Sequence, residues 1–211
     1  MNRAQFQIQN SAVIKLLQDY AEAIKGVNNV VLGSVSLIAH TQSNHYYRDI
    51  KDVDALVNLA DKTLVEARLL ELGYKKSSFI PVIGWLFSRN VRFTKGDSPD
   101  LDISYVDFVE TDESITLKKS FISVILPPRA ITTTEFFTVI FNTFSIEATK
   151  LSKEILNRTI GRIILKGVRK RTTDMQRINE LIDGSTYNNL IEAVKIKIGS
   201  TVIKLPRFLY K

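Results

Sequence analysis

The sequence contains no cysteine, only two histidines and one tryptophan. Without thiols there are no disulfides, no thiolate nucleophile and no thiolate metal site. No apolar run approaches the roughly 18 residues that a membrane span needs. The best candidate, FIPVIGWLF at residues 79–87, is interrupted by Pro81 and Gly84, so no membrane partner is expected. Residues 2–10 are polar and lack an apolar centre; no signal peptide is expected, and a cytoplasmic location is the simplest expectation. Internal repeats and low-complexity tracts are also missing. So is any G-x-G-x-x-G phosphate loop ahead of Lys25.

What is present fits an ordinary globular protein. The 211 residues, 45% hydrophobic and 24% charged, are enough for one large domain or two small ones with a real core. A net charge of +7 favours polyanionic partners such as nucleotides or nucleic acid, or reflects a lysine-rich surface. The charge is unevenly spread. Acidic residues gather between Asp49 and Glu113, and Lys and Arg crowd the chain after Lys150.

Periodicity predicts the order of elements. Val13, Leu17, Tyr20 and Ile24 recur at helical spacing, with Asn10 or Ser11 as cap and Gly26 as stop. NNVVLGS reads as a buried strand ending at Gly33-Ser34, VSLIAH as a brief helix, and DVDALVN as a second strand. Asp61 caps a helix whose face carries Val65, Leu69 and Leu72, ended by Gly73. Residues 79–110 read as β-rich, with two strands around a Gly-Asp-Ser-Pro turn, and FISVILPP as a further strand. From Thr132, a capping-box spacing to Glu135 predicts a helix over TEFFTVIFNTF. Two more helices are expected around residues 146–168 and 172–182, with Ser185 capping a last one. The expected organisation is thus an α/β domain over residues 1–128 and a helical domain over 129–211.

The stretch YYRDIKDVDALV, residues 46–57, carries the chemistry. Arg48-Asp49-Ile50-Lys51 matches part of a protein-kinase catalytic loop. However, Asp54 stands where that loop needs its metal-binding Asn, and Val109 stands where Asp-Phe-Gly needs its Gly. The chain before Tyr46 also leaves no room for a nucleotide lobe. The alternative is a strand. Residues i and i+2 share a face, so Asp52 and Asp54 project together while Val53 faces the core. Paired carboxylates need a cation between them, and oxygen-only ligands select Mg2+ or Mn2+. A third carboxylate on a neighbouring strand would complete a two-metal site for in-line phosphoryl transfer. LDISY offers Asp102, flanked by Leu101 and Ile103. Asp100 and Asp107 compete for the role; Asp100 adjoins the turn at Pro99, and Asp107 lies an odd number of residues away, on the opposite face of a regular strand.

The order VVLGSVSLIAH, YYRDIKDVDALV, LDISY resembles the polymerase-beta-like nucleotidyltransferase superfamily, and most closely its abortive-infection and toxin-type minimal members. RKRTTDMQRINELI resembles the Arg-x-x-Asp helix that follows their catalytic core. The resemblance spans roughly residues 10–183, and its first two motifs are the distinctive ones. It implies an α/β core with a mixed sheet flanked by helices, followed by a C-terminal helical domain. It also implies Mg2+- or Mn2+-dependent transfer of a nucleoside monophosphate from an NTP to a hydroxyl, with release of pyrophosphate. Carried over, Gly33 and Ser34 would let backbone N–H groups approach the triphosphate, and Asp52 and Asp54 would hold both metals. Asp102 would bind one metal and help deprotonate the acceptor, with Arg48 near phosphate. The interval of 18 residues from Ser34 to Asp52 exceeds the family's usual spacer and implies an enlarged loop.

Other candidates carry weaker signals. Lys166, Arg169, Lys170 and Arg171 have helical spacing, which suits a phosphate-backbone patch for an RNA acceptor such as tRNA, or a solvated helix face. A protein or a small molecule would serve equally as the hydroxyl acceptor. His40 and His45 read as loop histidines; Trp85, Phe87 and Phe93 as core or sheet surface; residues 204–211 as a docked strand or basic tail. From another class, the same fold could serve as a non-catalytic nucleotide- or RNA-binding protein, or as a toxin–antitoxin component acting through an antitoxin partner.

Overall fold

A computed structural model describes residues 3–42, 50–78, 90–119, 121–159 and 168–204. Contacts divide the chain into two compact units: Met1–Phe108 with Thr133–Thr143, and Val109–Thr132 with Phe144–Lys211. The chain therefore crosses between units more than once, where a single cut at Pro128 was expected.

The first unit opens with helices α1 (Arg3–Gln9) and α2 (Ser11–Ala23). Strand β1 (Asn29–Leu32) then runs into α3 (Gly33–Thr41), and β2 is Asp52–Asn58. A 3-10 turn at Leu59–Asp61 leads into α4 (Lys62–Glu71). The strands β3 (Lys75–Ser78), β4 (Asn90–Thr94) and β5 (Asp100–Glu110) follow. A later hairpin, β8 (Ile131–Phe136) with β9 (Val139–Phe144), returns to this sheet. Strand order is β3-β4-β5-β2-β1-β9-β8. The sheet is mixed, as expected: β2 and β5 run parallel, as do β1 and β9, whereas β1/β2 and β4/β5 are antiparallel.

Period-2 burial explains the core. Val53, Ala55 and Val57 of β2 and Leu101 and Ile103 of β5 are buried, and Val13, Leu16, Leu17 and Tyr20 of α2 pack into the same cluster. Fully burying each such aliphatic side chain contributes about 1.5–3 kcal/mol. Asn10 precedes α2 as expected, yet its side chain does not cap it. Its Nδ2 donates to Phe6 O at 3.1 Å, and its Oδ1 accepts from the Ile50 N–H at 3.1 Å, tying the helix junction to the approach to β2.

The helix expected from Thr132 is the β8–β9 hairpin. Thr, Phe, Val and Ile dominate the segment, and such residues fit a pleated surface better than a helix. Its burial alternates, with Val139 and Phe141 buried and Ile140 66% exposed. Phe137 takes a positive φ of 55° in the turn. Its ring stacks on Phe6 at 5.7 Å and meets Phe136 edge-on at 5.0 Å, contacts that offset the strain of this left-handed conformation.

The second unit combines helices with a sheet, rather than the helices alone expected of this half. Strands β6 (Ile115–Lys119), β7 (Ile122–Leu126), β10 (Lys195–Ile198) and β11 (Thr201–Lys204) form an antiparallel series in the order β6-β7-β10-β11. The helices are α5 (Ile146–Thr159), α6 (Val168–Leu181) and α7 (Gly184–Ala193). Asp183, not Ser185, caps α7: its carboxylate accepts from the Thr186 N–H at 2.9 Å and from the Ser185 hydroxyl.

Candidate active site on two paired strands

Antiparallel pairing sets the C-terminal end of β1 beside the N-terminal end of β2, with Leu32 opposite Asp54. The chain leaves β1 at Gly33 and turns at once into α3, and φ of +70° at Gly33 makes that turn possible. A Cβ at Gly33 would lie 2.6 Å from Asp54 Oδ2, so only glycine leaves room for this carboxylate at the start of the helix. Ser34, the second residue of α3, is buried. The first-turn N–H groups and the positive end of the helix dipole thus lie close to Asp54, an arrangement suited to anionic groups.

Parallel pairing of β2 with β5 supplies the remaining acids. Asp52 is opposite Asp100, and Asp54 is opposite Asp102. The residues between them, Val53 and Leu101, are buried in the core, so the four aspartates share the other, half-exposed face. Facing carboxylates about 5 Å apart repel by about 3 kcal/mol at an effective dielectric constant of about 20. Such a face needs positive charge.

Arg92 on β4 provides some of it. It is the register partner of Asp102 across the β4–β5 pair. Its Nε and Nη2 donate to the two oxygens of Asp102, each at 2.8 Å, and its Nη1 lies 2.9 Å from Asp100 Oδ2. Hydrogen bonding to Asp102, opposed by desolvation and reinforced by the charges of Asp102, Asp100 and Asp52, holds the guanidinium above its ordinary pKa.

Asp102 therefore stands where strand parity placed it, opposite Asp54. Asp100 is in the strand rather than in the turn, in register with Asp52. Asp107 lies beyond the stretch of β5 paired with β2, which ends at Val106 opposite Asn58. At about 3.3 Å per residue it is about 16 Å along the strand from Asp102. Arg48, His45, Trp85, Phe87 and Lys166 fall outside the described residues. Arg169, Lys170 and Arg171 lie at the start of α6. His40 is in the last turn of α3, and Phe93 is fully buried, as expected of core. Asp174, of the Arg-x-x-Asp motif, is buried and pairs with Lys153 at 3.1 Å, joining α6 to α5.

Oxygen-only donors on adjacent strands suit a hard divalent cation. Among the described residues, however, no three acidic or histidine side chains already converge as a shell that could hold a metal ion. Arg92 occupies both oxygens of Asp102. The backbone positions suit such a cation, and the Asp102 side chain would have to turn or share an oxygen to reach one.

No protein-family model matches the chain, and no curated protein matches it. Solved structures do. The lincosamide antibiotic adenylyltransferase LnuA, with lincomycin bound, superposes with a TM-score of 0.58 at 15% identity, over 82% of this chain and 97% of its own. The antibiotic-resistance factor ANT(2'')-Ia in solution gives a TM-score of 0.59 at 12% identity, over 90% of each chain. Its crystal structure with adenylyl-2''-tobramycin gives 0.59 at 12% identity, over 87% of this chain and 94% of that one. The fold of this chain is accordingly that of these nucleotidyltransferases, a mixed sheet flanked by helices.

Proposed function

We propose that the protein is a Mg2+- or Mn2+-dependent nucleotidyltransferase that moves a nucleoside monophosphate from an NTP to a hydroxyl acceptor. The observation that carries this reading is the in-register pairing of β2 with β5, which sets Asp54 beside Asp102 and next to the glycine turn of α3. Bound divalent metal would neutralise triphosphate charge and lower the pKa of the acceptor hydroxyl. Asp52 and Asp54 would hold it, and Asp102 would add a ligand and accept the hydroxyl proton. The acceptor oxygen bonds to the α-phosphorus as the bond to pyrophosphate breaks, and the electron pair leaves with pyrophosphate. Gly33 and Ser34 would present the first N–H groups of α3 to the triphosphate, and Arg48 would add positive charge beside it.

The acceptor divides the supporting observations. The fold's solved examples carry lincomycin and an adenylylated tobramycin, both small hydroxylated molecules. The net charge of +7 instead favours a polyanion such as RNA. Arg169, Lys170 and Arg171, with Lys166, are the acceptor-binding residues of this reading, on the strength of their sequence spacing and positive charge. The closeness to abortive-infection and toxin-type enzymes, and any antitoxin partner, rest on the sequence motifs.

The test is incubation with each α-phosphate-labelled NTP, Mg2+ or Mn2+, and RNA, protein or small hydroxylated acceptors in turn. Label should move to one class with equimolar pyrophosphate, and Asp54→Asn should abolish it. The clamp of Arg92 on Asp102 favours a second reading, a non-catalytic nucleotide- or RNA-binding protein. Nucleotide binding without pyrophosphate release on any acceptor would support that one.

A further inference from the structure

Arg92 lies outside the three nucleotidyltransferase-like motifs, yet its guanidinium joins two of the four aspartates of the candidate site. Its guanidinium binds Asp102 through two hydrogen bonds of 2.8 Å and Asp100 through a contact of 2.9 Å. The fold does not need it there. Val91 and Phe93, its neighbours on β4, are buried on the opposite face, and they pair with Ile103 and Leu101. The β4–β5 register is set by those residues and by the turn at Gly96, whose φ is +54°. A half-exposed ion pair adds little to stability. A three-point fork on one carboxylate pair does something else: it fixes the direction in which Asp102 points.

We propose that Arg92 is a positioning residue that holds Asp102 in a standby orientation and is exchanged for divalent metal when the site is loaded. This inference rests on the metal-dependent reading given above. Both oxygens of Asp102 are directed at the guanidinium, and the described carboxylates form no ready metal shell. A guanidinium and a divalent cation on one carboxylate repel each other, so each weakens the hold of the other. Before loading, Arg92 offsets part of the charge on a face where Asp52, Asp54, Asp100 and Asp102 crowd together. On loading, two positive charges replace one, and Asp102 turns toward Asp54. Metal affinity is thereby set by a residue that never touches the metal.

The experiment is calorimetric titration of Mn2+ into the full chain without nucleotide, with thermal midpoints recorded alongside. Arg92→Met should tighten Mn2+ binding by about tenfold or more, because the competing charge is gone. Arg92→Lys, which keeps the charge and loses the fork, should give a smaller rise of the same sign, and it serves if Arg92→Met does not fold. The gain should shrink by more than half when Asp102→Asn is present in both proteins, since the two hydrogen bonds to that carboxylate are the strongest coupling and only the contact with Asp100 remains. Equal or weaker binding in Arg92→Met, or a gain undiminished by Asp102→Asn, overturns the role of Arg92 alone, provided that Asp54→Asn still abolishes binding. No saturable Mn2+ binding in any of these proteins overturns the metal-dependent reading, and this inference with it.

Discussion

Two clusters of acids and bases in the first unit answer the same electrostatic problem in opposite ways. Asp19 on α2 is a buried carboxylate supplied in excess: Lys15 at 2.8 Å, Lys95 at 3.3 Å and the Tyr74 hydroxyl at 3.2 Å all donate to it. Lys95 also lies over the Tyr74 ring, 5.1 Å from its centroid. At the N-terminal ends of β2 and β5 four carboxylates cluster, and Arg92 is shared between two of them. A cluster with surplus donors around one acid locks elements together. A cluster of four acids on a half-exposed face costs stability unless positive charge gathers there, a pattern that suits a site for cationic ligands. On the proposed function, the first cluster is structural and the second functional.

The largest effect belongs to the carboxylate face. Asp54→Ala and Asp102→Ala should each reduce nucleotide transfer by about a thousandfold or more in proteins that remain folded. Asp107→Ala, lying far along β5, should retain most activity in the same assay. Next comes Gly33→Ala, which puts a methyl group where Asp54 Oδ2 sits and forces a left-handed φ on alanine. Transfer should fall by about a hundredfold through misplacement of Asp54, against a stability loss of about 1–2 kcal/mol by urea denaturation. Asp19→Ala should invert that pattern. It should cost about 2 kcal/mol of stability, with transfer per folded molecule unchanged.

The pH dependence of the structural cluster sharpens the comparison further. Burial pushes the Asp19 carboxyl up, but hydrogen bonds from Lys15 and Lys95 outweigh it and leave the folded pKa below 3.8. The unfolded chain is therefore protonated first as pH falls. The stability contributed by the Asp19 charge is complete above the unfolded pKa and disappears as pH drops through the folded one. The stability gap between wild type and Asp19→Asn, followed by urea denaturation, should be constant above about pH 5 and close below about pH 4. The smallest effect is expected in the second unit. Neutralising Arg169 and Lys170 should flatten the salt dependence of RNA binding by about one unit per lost phosphate contact, and an unchanged slope would leave this segment as a solvated helix face.

Much of the carboxylate face was legible because strand parity is simple. Asp-Val-Asp and Leu-Asp-Ile each declare one buried and one open face, and the glycine turn before α3 declares its own conformation. Arg92 was legible too, although nothing in the motifs pointed to it. It and Asp102 are equidistant from Asp97 in the Gly-Asp-Ser-Pro turn, so counting back along the hairpin pairs them. Other features were hidden for physical reasons. Thr132 and Glu135 have the spacing of a capping box, yet the β-branched and aromatic residues that follow, with the Phe6–Phe136–Phe137 cluster, favour a hairpin returning to β1. The hydrogen bond from Ile50 to Asn10 spans 40 positions, and no local pattern encodes such a contact. Lys195 to Lys204 alternates lysine with isoleucine on its first strand and turns at Gly199, a hairpin signal that the helical reading of the C-terminal half passed over.

The central claim is that the β2 and β5 carboxylates bind a metal-loaded nucleotide. Its most direct test is a crystal structure of the full chain with Mn2+ and a non-hydrolysable NTP. Anomalous density should place an ion about 2.0–2.3 Å from oxygens of both Asp52 and Asp54, with the triphosphate against Gly33 and Ser34 and Asp102 turned away from Arg92. Nucleotide bound elsewhere, or an ion that touches neither Asp52 nor Asp54, would contradict the account.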